Sequence, residues 1–151
     1  LDLDYHHGNG TQSIFYDDQS VMFVSIHANP EGAYPYYSGF PDETGRGEGL
    51  GCNLNIPMES GIDDKQYFSV LDQALDSVQK FGSDALIVSF GADIYTGDPL
   101  GDFEISLKGF REIGEQISLG KTLIVQEGGY HSQDLGKCVL QLLDGFELSY
   151  S

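Results

Sequence analysis

Short apolar runs of strand length constrain the fold of this chain more than any other feature. They span residues 21–27, 85–90 and 122–126. Such runs are typical of strands that are buried on both faces of a parallel sheet. Stretches in which apolar residues recur every three or four positions lie between and after them, at residues 63–81, 107–117 and 135–146. This alternation predicts an α/β fold with a mostly parallel sheet.

Weaker signals complete the predicted order of elements. Residues 1–5 resemble the end of a strand, residues 11–16 the start of a short helix, and residues 54–57 a short strand closed by proline. Between them, residues 29–51 form a long loop rich in proline, glycine and aromatic residues. Long loops in compact domains are often functional, so its aromatics could either pack the loop down or line a substrate entrance.

The composition limits the possible binding partners of the chain and its cellular compartment. The chain has 151 residues and a formal net charge of -17, which disfavours nucleic acid and anionic membranes but would attract metal ions and cationic polyamines. The same charge could serve solubility alone. Cys52 and Cys138 form no C-x-x-C pattern, and no signal peptide or long apolar run is present, so we expect a cytoplasmic protein. Because Leu1 stands immediately inside a motif, we also expect a piece of a longer chain.

Polar residues at the ends of predicted strands suggest a metal site. In an extended strand Asp4 and His6 would point to the same face, and the next buried strand ends near Asp93. The carboxyl ends of parallel strands meet at one edge of the sheet, so these side chains would converge as three ligands with an open position. Two carboxylates and an imidazole suit Zn²⁺ and tolerate Fe²⁺ or Co²⁺. Taken alone, Asp4 could instead cap a strand-to-loop junction, and Asp93 a helix.

Three motifs in order carry a resemblance to a known family. They are D-x-D-x-H-H-G-N-G-T-Q at residues 2–12, G-A-D with D-P-L close behind at 91–100, and E-G-G-Y at 127–130. The chain resembles the zinc-dependent histone deacetylase superfamily, and residues 5–16 and 33–45 look most like bacterial acetylpolyamine amidohydrolases. The resemblance implies a three-layer αβα, arginase/deacetylase-like fold lacking its N-terminal strands. Residues 1–151 would then be the C-terminal portion of a single catalytic domain.

The resemblance also implies roles for individual residues. Asp4, His6 and Asp93 would bind the zinc ion, and Tyr130 would donate a hydrogen bond to the oxyanion of the tetrahedral intermediate. The substrate would pass Tyr34, which matches the aromatic flanking the family's tunnel, and Gly128, in the adjustable loop before Tyr130. Two residues would support histidines of the family's general-base pair, namely Asp2 and Asn9.

Two potassium sites are implied by the same resemblance. The first would use Asp2, Asp4, the backbone of His6, the Ser25 hydroxyl and the Ile26 carbonyl. The second would use backbone carbonyls around Phe15, Asp18 and Val21. Neither His7 nor His27 matches a family ligand, so we interpret both as structural.

One departure from the family pattern limits what the chain could do. The tandem histidine pair that serves as general base lies upstream of the D-x-D-x-H motif in the family, and this sequence begins at that motif. We therefore expect the longer parent protein to deacetylate a small cationic acetylated substrate, while this chain alone binds metal with very little turnover. A truncated sheet would also expose an apolar edge, which favours a homodimer or higher oligomer.

Other functions stay open on sequence grounds. A protein acetyl-lysine deacetylase would carry the same catalytic motifs as a polyamine deacetylase. A non-catalytic metal-binding or interaction fragment with a vestigial ligand set is a third possibility. An arginase-type ureohydrolase is disfavoured, because the second D of the D-x-D that its two-metal cluster needs after Gly91 is missing: Ile94 and Tyr95 follow Asp93.

Overall fold

The structure, a computed structural model, describes residues 1–148. Four strands and four helices follow one another along the chain, together with one-turn 3-10 helices at Gly47–Gly49 and Ala92–Ile94. The strands are β1 Phe23–Ala28, β2 Asn53–Met58, β3 Leu86–Phe90 and β4 Thr122–Gln126. The helices are α1 Asn9–Phe15, α2 Asp64–Phe81, α3 Leu107–Ile117 and α4 Leu135–Leu148.

The first residues of the chain form the centre of the sheet. β1 pairs in parallel with β2, and β3 pairs in parallel with β4. Asp2 joins the two pairs, because it bridges in parallel to Ser25 on one side and to Ser89 on the other. Backbone hydrogen bonds of 2.7–3.0 Å continue this pairing over residues 1–3. The strand order is therefore β4, β3, residues 1–3, β1, β2, which confirms the predicted parallel α/β sheet.

The predicted strand end over residues 1–5 is too long. Pairing with both neighbouring strands ends after Leu3, and Asp4, Tyr5 and His6 lie in a bend, although the Tyr5 carbonyl still accepts from the Ala28 N–H of β1 at 2.8 Å. The Asp4 carboxylate closes this bend by accepting a hydrogen bond from the His6 N–H at 2.8 Å. An Asp side chain that bonds to the backbone two residues ahead favours a turn over continued pairing.

One face of the sheet carries the main hydrophobic core. The buried side of α2, including Tyr67 and Leu71, packs in one cluster with Leu3, Val24 and Ile26. At its N-terminus a capping box joins Asp63 and Gln66, and Gly82 ends the helix in the left-handed conformation with φ of 72°. The predicted boundaries of this helix are confirmed to within one residue. α3 and α4 extend the same core beside β3.

The opposite face is covered over only half of the sheet. α1 and the loop over residues 29–51 lie over β1 and β2, and every residue of β1 is buried. On β3 and β4 the described residues leave Ile87 and Leu123 58% exposed and Val125 40% exposed. Burial on both faces, which the apolar runs predict, is therefore wrong for these two strands within the described part.

The length and hydrophobicity of the helices decide whether one of them could span a membrane. Among the residues that the structure describes, no helix is long and apolar enough to cross a bilayer.

Candidate metal centre

Two loops that leave the carboxyl edge of the sheet bring the predicted ligands together. Asp4 and His6 follow the central segment, and Asp93 lies in the 3-10 turn after β3. One ligand atom from each of these residues lies within 4.8 Å of the others. The structure thus places the three predicted side chains in one cluster, with Asp93 fully buried and the other two partly exposed.

Backbone groups orient the two carboxylates. Asp4 accepts from the His6 N–H with Oδ1 and from the Gly128 N–H with Oδ2, at 2.8 and 2.9 Å. Asp93 accepts from the Tyr5 N–H with Oδ1 at 3.0 Å. These bonds leave each carboxylate with an oxygen near the His6 ring: Nδ1 lies 3.4 Å from Asp4 Oδ1 and 3.3 Å from Asp93 Oδ2.

The donor set fits a divalent cation. Asp93 Oδ2 is buried and receives no hydrogen bond within the described residues, although His6 Nδ1 faces it. A buried carboxylate oxygen without a donor is costly unless a cation or a proton satisfies it. Glycines wall the cluster closely, because a Cβ added at Gly91 or Gly128 would overlap the Asp4 and Asp93 carboxylates. Two carboxylates and one imidazole are ligands that Zn²⁺ accepts in catalytic sites.

Burial and the neighbouring ionisable groups shift the pKa values of the three cluster residues. Burial raises the pKa of Asp93, and the nearby His6 ring does not fully offset this. Burial also opposes ionisation of Asp4, but hydrogen bonds from His6 and Gly128 outweigh it and lower the pKa of that carboxyl. The neighbouring carboxylates, Asp4 first and then Asp93, raise the pKa of His6 to about 9. A divalent cation would replace the proton that His6 shares with the carboxylates.

An open cleft of about 690 Å³ gives access to the cluster. Its walls include Asp4, His6, Tyr34 and Tyr130. The Tyr130 side chain is 50% exposed, and burial followed by the charge of Asp93 raises the pKa of its hydroxyl. Tyr130 therefore remains a hydrogen-bond donor at neutral pH, on the wall of the cleft that holds the metal cluster.

The loop aromatics point outward rather than packing the loop down. Tyr34, Tyr36 and Tyr37 are 55%, 63% and 69% exposed. Tyr34 lies beside the cluster, because its ring centroid is 6.3 Å from that of His6. Of the two alternatives for this loop, the exposure of its tyrosines favours a role at the entrance.

Asp2 and Asn9 occupy different surroundings. The Asp2 carboxylate is nearly buried beside the cleft, accepts from the Asp4 N–H at 3.1 Å and has a pKa raised to about 7 by burial. Asn9 is the first residue of α1, and its side-chain amide donates to the Tyr37 hydroxyl at 3.0 Å. Their predicted roles toward a histidine pair stay predictions.

The residues predicted for potassium are distributed over two regions. Around the first set, Asp2 O accepts from the Ile26 N–H, and the Ser25 hydroxyl lies 2.7 Å from His27 Nδ1. In the second set, Phe15 O accepts from the Asp18 N–H at 3.0 Å, and Val21 follows the turn. Both potassium sites stay predictions.

A buried polar network beneath the loop escaped the sequence reasoning. The rings of His7 and His27 contact each other at a 45° tilt with centroids 4.5 Å apart, and burial lowers the pKa of both, to about 4 for His7. Glu43 Oε2 accepts from Gln12 Nε2 at 2.8 Å and from the Gly39 N–H at 2.7 Å. This network attaches the aromatic loop to α1. No local pattern marks it, since Gln12 and Glu43 are far apart in sequence.

Asp98 was also missed as a residue of interest. It is only 5% exposed, and its Oδ2 accepts from the N–H groups of Tyr130 and His131 at 2.7 and 3.0 Å. An Asp that precedes proline in a turn was the available signal, but sequence alone does not show what the carboxylate contacts.

Comparisons with known proteins identify the family of the chain. A family model described as "Histone deacetylase domain" matches residues 1–146. Acetylpolyamine amidohydrolase 2 of Pseudomonas aeruginosa is 45% identical over 149 residues, which are 97% of this chain and 43% of that protein. Histone deacetylase 8 of Arabidopsis thaliana is 36% identical, over 96% of this chain and 41% of that protein.

Solved structures show the same relationship in three dimensions. The crystal structure of acetylpolyamine aminohydrolase from Burkholderia pseudomallei superimposes with a TM-score of 0.96 at 43% identity, over 99% of this chain and 44% of that one. The chain thus spans less than half the length of these relatives. With a family match over nearly its whole length, a parallel sheet of the same fold and a carboxylate-histidine cluster at its edge, the chain belongs to the histone deacetylase domain family.

Proposed function

We propose that this chain supplies the metal-binding part of a zinc-dependent amide hydrolase that removes acetyl groups from acetylated polyamines. The observation that carries the proposal is the cluster of Asp4, His6 and Asp93, because Asp4 and His6 line a cleft that Tyr130 also lines. Zinc bound there would polarise the acetamide carbonyl and lower the pKa of a bound water. Fe²⁺ or Co²⁺ could replace it, since the same ligand types accept these ions.

The protein groups around the metal would orient and stabilise the reacting amide. Asp4 and Asp93 are held by backbone N–H groups, so their carboxylates keep their positions without a change in the loops. Tyr130 keeps its proton at neutral pH, where the upward direction of its pKa shift only adds to its ordinary protonation, and would donate a hydrogen bond to the developing oxyanion. His6 must be neutral to bind a metal, so metal binding would release its proton.

The substrate class follows from charge and aromatic exposure. A formal net charge of -17 would attract a small polycation, and the exposed Tyr34, Tyr36 and Tyr37 offer ring faces for cation–π contacts with it. Relatives named acetylpolyamine amidohydrolase are 37–45% identical to this chain, which supports the same choice. The Arabidopsis relative named Histone deacetylase 8 keeps a protein acetyl-lysine substrate as the second candidate.

By itself the chain should bind metal and turn over very slowly. A general base is needed to activate the attacking water, and His7 is a poor base because its pKa is lowered to about 4. The proposal also includes potassium ions at the two predicted positions. It further includes a cytoplasmic location, where cysteines such as Cys52 and Cys138 stay free. A non-catalytic role would apply if the cluster bound no metal.

Metal analysis and kinetics test the proposal at two levels. The purified chain should bind one zinc ion, and Asp93→Ala should abolish binding. In the longer protein that carries this chain, Tyr130→Phe should lower kcat on acetylputrescine about 10²–10³-fold. Tyr16→Phe is the matched control, because Tyr16 does not line the cleft. A clear preference for an acetyl-lysine peptide over acetylputrescine would overturn the substrate assignment, and failure to bind zinc would overturn the metal site.

A further inference from the structure

The loop that carries Tyr130 is attached to the protein mainly through its backbone. Gly128 donates its N–H to Asp4 Oδ2 at 2.9 Å, and its carbonyl accepts from the Ala92 N–H at 2.8 Å. Gly129 follows with φ of 133°, a conformation that side-chain-bearing residues rarely adopt. Within the described residues the Tyr130 hydroxyl has no hydrogen-bond partner and the ring is half exposed. The backbone contacts of Tyr130 therefore determine the point from which its side chain extends toward the cleft.

Asp98 provides those contacts. One oxygen, Oδ2, accepts from the consecutive N–H groups of Tyr130 and His131 at 2.7 and 3.0 Å. The other oxygen, Oδ1, accepts from the Leu100 N–H at 2.9 Å. Hydrogen bonds from amides to an ionised carboxylate are shorter and stronger than neutral ones. A neutral Asn could not accept on both sides, because only one of its two terminal atoms is an acceptor.

Asp98 is itself well fixed. Its side chain is 5% exposed, and its own N–H donates to the Tyr95 carbonyl at 3.0 Å. The turn that contains it follows the 3-10 turn of Asp93, so Asp98 and a metal-cluster residue belong to the same short segment. Through its carboxylate this segment after β3 is joined to the segment after β4 that carries Tyr130.

We infer that Asp98 is a positioning residue for Tyr130: its buried carboxylate holds the Tyr130 and His131 amides and thereby sets the distance between the Tyr130 hydroxyl and the Asp4–His6–Asp93 cluster. This inference rests on the proposed function, in which Tyr130 donates to the oxyanion. Asp98 is neither a residue of the ligand cluster nor a residue that lines the cleft, and it contacts the lining residues Tyr130 and Leu100 only at their backbone N–H groups, so it acts through another residue. Outer groups of this kind typically change activity about 10–100-fold.

Backbone amide exchange tests the inference without activity. Asp98→Asn and Asp98→Ala should accelerate hydrogen exchange at the Tyr130 and His131 amides at least about tenfold, while the Ser89 amide in the sheet stays protected. Zinc affinity should remain within about twofold of the parent chain. Asp72→Asn, an exposed change on α2, is the control and should alter neither property.

Kinetics in the longer protein that carries this chain complete the test. Asp98→Ala should lower kcat about 10–100-fold with KM unchanged, and should have no further effect in a Tyr130→Phe background. Unchanged exchange at the two amides, or additive effects of the two substitutions, would overturn the inference. Loss of folding or of zinc binding in the isosteric Asp98→Asn would also overturn it, because Asp98 would then be a general structural residue. If the parent shows no turnover, the proposed function fails while amide exchange still decides the role of Asp98.

Discussion

Replacing Asp93 by Asn should make the metal-free chain more stable and the zinc-loaded chain less so. Asp93 is fully buried, and burial raises its pKa, so the folded chain disfavours the charged carboxylate. Asn preserves the shape and can still accept from the Tyr5 N–H through Oδ1. It removes the charge of Oδ2, an oxygen that receives no hydrogen bond. The metal-free variant should therefore melt at a higher temperature than the parent chain.

Zinc should reverse that order. A ligand that binds only the folded state contributes about 4 kcal/mol when its free concentration is 1,000 times Kd. For a chain of this size that corresponds to a rise in Tm of roughly 8–16 °C. Loss of one of three protein ligands should weaken binding at least about 100-fold, which removes about 2.7 kcal/mol of this stabilisation at the same free zinc. The zinc-dependent rise should then shrink to roughly 3–6 °C.

Thermal melts followed by circular dichroism measure the Tm of the metal-free chain in chelator and its rise in buffered zinc. Because the chain has no tryptophan, fluorescence is less suitable. Asp72→Asn is the control, because Asp72 is exposed on α2 and should change neither melt. A metal-free Asp93→Asn chain that melts below the parent would refute the burial argument. An undiminished rise with zinc would refute Asp93 as a ligand.

Three further predictions follow from other parts of the structure. Gly128→Ala should weaken zinc binding about 10–100-fold in a chelator competition, because its Cβ would overlap both carboxylates, whereas Gly136→Ala, where the space is open, should not. Acidification from pH 7 to 4.5 should cost about 2–3 kcal/mol through His7, whose pKa is lowered to about 4, because the unfolded chain takes up the proton first. His7→Asn should lack that loss in urea titrations, and an identical pH dependence would contradict the reasoning. Leu123→Lys, on the exposed face of β4, should reduce self-association in sedimentation equilibrium, and an unchanged association state would argue against that face as the contact.

The α/β class and the boundaries of α2 could be predicted because they depend on local information. Apolar runs determine which residues leave water, and Asp63 and Gly82 mark where the helix begins and ends. Asp4, His6 and Asp93 could also be chosen as one group, because parallel strands deliver their carboxyl ends to the same edge. The geometry of that group was predicted less well. Asp4 and His6 converge through a bend closed by a hydrogen bond, not through the alternation of a strand.

Contacts between distant segments explain the rest. The exposure of Ile87 and Leu123 depends on what covers the second face of the sheet, and an apolar run in the sequence does not predict the covering element. Tyr130, whose N–H donates to Asp98, lies 32 residues from it in the sequence, and Gln12, which donates to Glu43, lies 31 residues away. No periodicity of the sequence connects residues so far apart. The sequence alone therefore determined the class of fold and the residue types of the Asp4–His6–Asp93 cluster, since both follow from local patterns and residue types. The tertiary structure alone decided which backbone amides hold the cluster and Tyr130 in place, because those hydrogen bonds form only when separate loops meet at the edge of the sheet.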